Sequence, residues 1–461
     1  MIDFGRIGEY SENNRIEAKR ALGGLPRSIW ETYSAFANSF GGILLLGVEE
    51  LADKTFRTVN LPAPEKLVAE FWEIIGDKSR VSENILSKWD VEIHNIGGDR
   101  IISITVPRAD RRRRPVYIGN NPYLGTYRRD GEGDYHCTRE EVRMMLRDRQ
   151  ERTLDEKVLP VTEEALSVET LRRYRAYLKD MRPGDGFGTE TDGGLLCRIG
   201  AGKRDGDGPV HPTAAGLLMF GFEDEIVKQY PYFYLDYQER DADGQIRERI
   251  ISNSGKWSGN LFDFYLKISG KIVRGLPHDI HRPVREAVAN CMVNGDYMGS
   301  GGLVMIKKQD EICITNPGSF RIDIQEAVNG GRSDPRNAGI ARLFHLVRVG
   351  TRTGNGVPDL YKVWSGKGWK IPEIQERLKP DRITFKLPLA AGRKSRDSLF
   401  GRQEYREAIL DYVTWAIYVE EKDVETILGT GRQEAAELLQ RMLEDGILVR
   451  AREREGYRLK I

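Results

Sequence analysis

Apolar residues recur at helical spacing after position 26. Ile29, Trp30, Tyr33, Phe36 and Ala37 fall on one face, Pro26 suits a first turn, and Gly41-Gly42 closes the element. Residues 43–48 then form a continuous apolar run, read as a short strand buried on both faces. Glu49 and Glu50 stand at its end, and Glu12 and Glu17 precede the helix. A strand, a crossover helix and a neighbouring strand place two strand ends side by side, so Glu12 or Glu17 is expected near Glu50.

Beyond this stretch the period switches to alternation. Strands are expected at 91–96 and 100–107, turning through Gly97-Gly98-Asp99, before a helix over 138–149. Residues 155–162 read as a link. Leu171, Tyr174 and Leu178 mark a helix over 166–181 stopped by Pro183-Gly184, residues 200–209 read as an exposed loop, and 213–220 resume a buried core. Glu286 and Asn290 lie four apart, on one face of a helix. Strands at 303–307 and 311–315 turn through Gln309-Asp310 and end in Asn316-Pro317-Gly318.

The last sixty residues read as helices over 405–412, 422–428 and 431–443 and a strand pair at 448–450 and 457–461, the pattern of a winged helix-turn-helix. The small, basic, polar residues 390–402 suit a linker before it. The presumed recognition helix, with Arg432, Glu434, Glu437, Arg441 and Glu444, is mixed to acidic in charge. The wing arginines 450, 452, 454 and 458 are the better DNA contact, and a role in protein contacts stays open. The fold class is α+β multidomain, divided as 1–150, 160–390 and 401–461.

Composition narrows the function only slightly. A length of 461 residues suits about three domains, and 39% hydrophobic with 31% charged residues describes a soluble globular chain. Lys plus Arg (71) and Asp plus Glu (70) nearly cancel, so any affinity for nucleic acid must come from local patches. Cys137, Cys197, Cys291 and Cys313 are too scattered for a C-x-x-C metal pair, and reduced thiols in the cytoplasm are the simplest reading. No apolar run approaches the ~20 residues of a spanning helix, so no membrane partner is expected. A homo-oligomer stays open.

One patch is strongly basic. Arg108 and Arg111 to Arg114 put five arginines in seven positions, followed by Tyr117, Tyr123, Tyr127 and Arg128. Charge runs usually form solvated loops. Beside an acidic cluster, however, forked guanidinium donors suit phosphate oxygens and tyrosines suit unpaired bases. Arg111, Arg112, Arg113, Arg114, Tyr127, Arg128 and Lys19 are the candidate nucleic-acid contacts.

The residues E-N-N-R-I-E-A-K at 12–19, S-A-F-A-N-S-F-G-G at 34–42 and L-G-V-E-E at 46–50 resemble the AlbA-like domain of Schlafen proteins and their bacterial relatives. The resemblance extends to about residue 149. It implies three acidic residues that bind a divalent metal, Mg2+ or Mn2+, and cleave RNA, tRNA especially. Carried over singly, these fall on Glu12, Glu17 and Glu50, where many members have Asp in the last pair.

Residues 165–389, most specifically 285–359, are similar to the ATP-binding domain of the GHKL superfamily (gyrase, heat-shock chaperone, histidine kinase, MutL), an α/β sandwich. That resemblance implies Glu286 as the water-activating base and Asn290 as the magnesium ligand. It puts the adenine reader at Asn316, close approach to ATP at Gly318, and a glycine lid at Gly354 and Gly356. The superfamily usually has Asp at Asn316, so nucleotide binding is expected rather than rapid hydrolysis. Together the resemblances imply a metal-dependent endoribonuclease acting on structured RNA, gated by nucleotide, in phage defence or stress response. The alternatives are an ATP-switched DNA-binding transcriptional regulator and an inert nucleotide-binding scaffold.

Overall fold

Strand β1 (Ile16–Lys19) runs parallel to β2 (Gly42–Leu46), and α1 (Ile29–Asn38) crosses between them. The structure, a computed structural model, describes residues 7, 10–322, 324–350, 356–367, 369–370, 372–389, 406, 409–410, 413, 419–428, 431–450 and 456–459. It divides into two compact units, Met1–Glu151 and Arg152–Ile461.

In the first unit, β3 (Val48–Glu50) and β4 (Phe56–Thr58) form a hairpin, followed by α2 (Pro64–Gly76), β5 (Val91–Ile96) and β6 (Asp99–Val106). The main sheet has the order β1-β2-β6-β5, antiparallel except for its first pair. Along β2, Leu44 and Leu46 pack with Ile29, Tyr33 and Phe36 of α1, while Leu45 packs on the other side with Val48, Phe56 and Ile101. The apolar run is therefore buried on both faces, as its composition implies.

The run is nevertheless two strands. Gly47 has φ +82°, which only glycine adopts without strain, and a Cβ there would lie 2.9 Å from the Val59 carbonyl. Its amide donates to Lys19 O at 2.9 Å and its carbonyl accepts from Val59 N at 2.8 Å. This pinned kink ends the parallel pair and starts the hairpin that carries Glu49 and Glu50. The chain continues through α3 (Pro122–Gly125), then β7 (Tyr127–Asp130), β8 (Gly133–His136) and α4 (Arg139–Asp148), capped by Thr138.

In the second unit α5 (Val168–Met181), α6 (Asp192–Ile199), α7 (Ala214–Phe220) and α8 (Glu223–Gln229) enclose a ribbon of β9 (Gly202–Arg204) and β10 (Val210–Pro212) within their sequence. That ribbon lies where an exposed loop was expected; residues 203–209 are exposed as expected, but the segment pairs as a short antiparallel ribbon. Next come β11 (Leu235–Arg240), β12 (Ile246–Ile251), α9 (Leu261–Val273), α10 (His281–Asn294), β13 (Leu303–Lys307) and β14 (Glu311–Pro317). Then follow α11 (Ile324–Asn329), α12 (Ala338–Leu346), α13 (Gly356–Gly366), β15 (Glu373–Leu378) and β16 (Asp381–Pro388). Six strands form one sheet in the order β12-β11-β13-β14-β16-β15, with only β11 and β13 parallel. Phe264, Ile268, Val288 and Met292 of α9 and α10 join Leu303, Met305 and Ile312 in the main core.

The chain closes with α14 (Glu421–Leu428), α15 (Arg432–Glu444), β17 (Leu448–Arg450) and β18 (Tyr457–Leu459). Val424, Ala435, Leu439, Met442 and Leu448 give this segment its own apolar cluster. The expected linker at 390–402, most of the helix over 405–412, the lid residue Gly354 and wing residues Arg452 and Arg454 lie outside the described residues.

Candidate nucleic-acid and nucleotide sites

Parallel pairing of β1 with β2, followed by the Gly47 kink, brings the three predicted acids into one neighbourhood. The backbone amide of Glu12 donates to Glu50 Oε1 at 3.2 Å, and Glu12 Oε1 accepts from the Ala18 amide at 3.1 Å. Burial holds the Glu12 carboxyl above its usual pKa, and the charges of Glu17 and Glu50 push it the same way against the Ala18 hydrogen bond and Lys19. Glu17 is buried, with Oε1 2.5 Å from Lys19 Nζ and Oε2 2.7 Å from an Arg129 guanidinium nitrogen. Glu50 Oε2 lies 3.2 Å from Lys54 Nζ.

Protein cations thus meet two of the three carboxylates. Among the described residues no group of three or more His, Cys, Asp or Glu side chains is placed to hold a metal ion. The donor set itself suits a hard divalent ion, since all three groups offer carboxylate oxygens. Lys19 and Lys54 would have to give up their carboxylates to such an ion.

Arg129 is the residue that composition conceals. Its guanidinium is fully buried, bonded to Glu17, to Asp134 Oδ1 at 2.9 Å and to the Asn13 carbonyl at 2.8 Å, and lies over the Phe36 ring. Polar residues of α1 put it there. Ser34 Oγ and Asn38 Nδ2 each donate to Val116 O at 2.7 Å, Asn38 Nδ2 also reaches Tyr127 O at 3.0 Å, and the Arg129 amide donates to Ser39 Oγ at 2.9 Å. The phrase S-A-F-A-N-S is therefore a latch that fixes β7 against the acids.

The arginine run is used differently from a phosphate-gripping rim. Arg111 and Arg114 are buried, and Arg111 ties the carbonyls of Asp148 and Gln150 at the end of α4. Arg113 binds the Asn84 carbonyl and lies 3.4 Å from Glu83. Arg128 is also buried, 3.6 Å from Glu141, so of these candidates Arg112 is the exposed one. Tyr127 packs its ring 4.1 Å from that of His136. Exposed cations stand beside the acids instead: Arg20 and Arg57 flank Glu49, and Lys54 adopts φ +70° at the hairpin tip. Their signal in sequence was faint, since each is a lone charge near a turn.

Three of the predicted nucleotide residues, Asn290, Asn316 and Gly356, line a cavity of about 390 Å³ in the second unit, with Asn294, Phe320, Ile383 and Phe385 among the others; Glu286 and Gly318 are not part of its lining. That is within the usual range of small-molecule sites. Asn290 comes from α10, with Glu286 buried one turn earlier. Asn316, at the end of β14, donates Nδ2 to Pro317 O at 3.0 Å. Its Oδ1 meets no donor among the described residues and is thus the atom able to accept from an adenine amino group. Gly356 opens α13 against α10, where a Cβ would lie 2.9 Å from Asn290 Nδ2. Gly318, at φ +103°, leaves room for Arg336, which binds the Asn294 and Ser319 carbonyls.

Comparison with known families gives these sites a context. Residues 12–138 match the family model "Schlafen, AlbA_2". This segment is similar to Schlafen AlbA_2 domains. Residues 303–385, from β13 into β16, match "Putative ATP-dependent DNA helicase recG C-terminal", and residues 143–236 match a domain of unknown function. No curated protein matches the chain. Among solved structures, the DIP2311 protein from Corynebacterium diphtheriae is 16% identical over 97% of this chain and 95% of its own, with TM-score 0.41. The "N-terminal Domain of Putative ATP-dependent DNA Helicase RecG-related Protein" from Nitrosomonas europaea is 30% identical over 30% of this chain and 95% of its own, with TM-score 0.23.

The AlbA_2 domain and the RecG-related segment mark a nucleic-acid-associated protein. The AlbA_2 match includes all three acids and the α1 latch. The RecG-related match takes in Asn316 and Gly318 but starts after Glu286 and Asn290. Among the described residues no helix is long and apolar enough to cross a membrane.

Proposed function

We propose that this chain is a nucleotide-switched nucleic-acid-binding protein of the GHKL type, contacting RNA or DNA through its AlbA_2 domain. The observation that supports this reading is the cavity where Asn290, Asn316 and Gly356 converge. Asn290 would ligate the magnesium of bound ATP, Asn316 would read adenine, and Gly356 would allow close approach, whereas the space beside Gly318 is taken by Arg336. The C-terminal helices and strand pair are read as a winged helix that assists capture or assembly. Calorimetry of ATP binding to wild type and Asn290→Ala tests the pocket. A tenfold or greater loss is expected, and equal affinities would remove Asn290 from the site.

A second reading, metal-dependent cleavage of structured RNA such as tRNA, is favoured by the gathering of Glu12, Glu17 and Glu50. Glu12 is close enough to both other acids for their charges to raise its pKa. These three would hold Mg2+ or Mn2+, which supplies an activated water and stabilises charge on the phosphate. Lys19 and Lys54, displaced from their carboxylates, would pair with the RNA backbone. Labelled tRNA and duplex DNA incubated with Mn2+, beside a Glu17→Ala control, distinguish the readings. Cutting lost in the variant supports cleavage here. Salt-sensitive binding without cutting by wild type leaves the binding reading alone.

A further inference from the structure

β12 is an outer strand of the six-stranded sheet, and a cavity of about 700 Å³ lies where it, α9 and the first turn of α14 come together. Arg249, Lys256, Lys267, Lys271 and Lys422 line it, with Trp257 as its aromatic wall. These residues are spread over 174 positions of the chain.

Charge pairing shows which cations are available. Arg249 is committed to Asp236 at 2.8 Å and Lys271 to Glu248 at 2.6 Å. The one acid of the lining, Asp423, accepts from the Glu420 amide at 2.9 Å, in the manner of a helix-start cap. Among the described residues Lys256, Lys267 and Lys422 have no carboxylate partner, and all three are exposed. Three ammonium groups facing one concavity repel one another, and a polyanion relieves that repulsion. Trp257 is fixed rather than adaptable. Its Nε1 donates to Ile251 O at 3.0 Å, its ring stacks on Phe264 at 13°, and Lys267 Nζ lies 5.6 Å from its centroid.

We propose that this groove takes a single strand of nucleic acid, with Lys256, Lys267 and Lys422 on phosphate oxygens and Trp257 as the surface that a base meets. A held aromatic beside unpaired lysines suits an unstacked base, whose face a duplex would hide. The inference rests on the nucleic-acid-binding reading and adds a second contact, remote in sequence from the AlbA_2 domain.

The test compares the full chain with a Lys256→Gln, Lys267→Gln, Lys422→Gln variant. Anisotropy of labelled oligo-U and oligo-dT is followed from 50 to 200 mM salt, and the two strands separate RNA from DNA as the preferred source. Removing three contacts at ~0.7 counterions each should lower the log–log salt slope by about two. Affinity at 100 mM salt should fall at least tenfold, while ATP affinity, read at the other cavity, stays at the wild-type value. Wild-type binding with an unchanged variant slope overturns the groove alone. A wild type that binds no nucleic acid overturns the groove together with the reading beneath it. Polyglutamate or duplex DNA competing as well as a single strand would also overturn it, by pointing to an acidic polypeptide or a duplex.

Discussion

Arg129 and Glu12 occupy opposite ends of the same electrostatic problem. Arg129 supplies the countercharge for the buried Glu17 and for Asp134. Arg129→Met leaves both acids without it, a change that typically costs ~3–5 kcal/mol, to be read as a lower urea midpoint. A midpoint unchanged from wild type would show that the pair is not what holds β7. Glu12 has a folded pKa raised by burial and by two neighbouring acids, so its ionisation opposes folding as pH rises. Glu12→Gln should therefore melt higher than wild type at pH 7, with the gap narrowing toward pH 4 as Glu12 takes up its proton. A gap of equal size at both pH values would refute like-charge strain. The nearness of Glu12 to Glu50 was legible in the chain, but the role of Arg129 was not. A lone arginine at 129 resembles any other, and the denser arginine run drew attention although Arg111 and Arg114 are buried braces.

Elements were read more successfully than the joints between them. Helical spacing placed α1, alternation placed β5 and β6, and the turn residues placed the β13–β14 hairpin, because each signal is local. The Gly47 kink was missed because an apolar run does not reveal where its partner strand ends. The α1 latch was missed because Ser34 and Asn38 find their partners some 80 to 90 residues downstream. For the nucleotide cavity the spacing of Glu286 and Asn290 was visible, whereas Arg336 and the close approach of α13 to α10 depend on tertiary packing. That approach gives a test at the element scale. Gly356→Ala places a methyl 2.9 Å from Asn290 Nδ2, so ATP affinity should fall about tenfold, ~1.4 kcal/mol. The unfolding midpoint should hold, since Ala favours a helix over Gly by up to ~1 kcal/mol. Unchanged ATP affinity would place nucleotide elsewhere.

For the whole molecule, two compact units with their own apolar clusters make ligand linkage measurable. A ligand that binds only the folded state stabilises the unit holding it by about 2.7 kcal/mol at a hundredfold excess over Kd. Calorimetry of the full chain should then show two transitions, of which ATP raises the one belonging to Arg152–Ile461. Whether nucleotide is a switch is a separate quantity, the coupling free energy, and it must be reciprocal. If ATP changes tRNA affinity by some factor, tRNA must change ATP affinity by the same factor. With a net charge of only +1, bulk attraction cannot imitate this effect, because a nonspecific polyanion does not distinguish the ATP-bound protein from the free one. The expected result is a matched change of fivefold or more in both titrations, retained at 150 mM salt. A factor of one in either direction, with both ligands bound, would reduce the protein to two independent binding units and remove the switch.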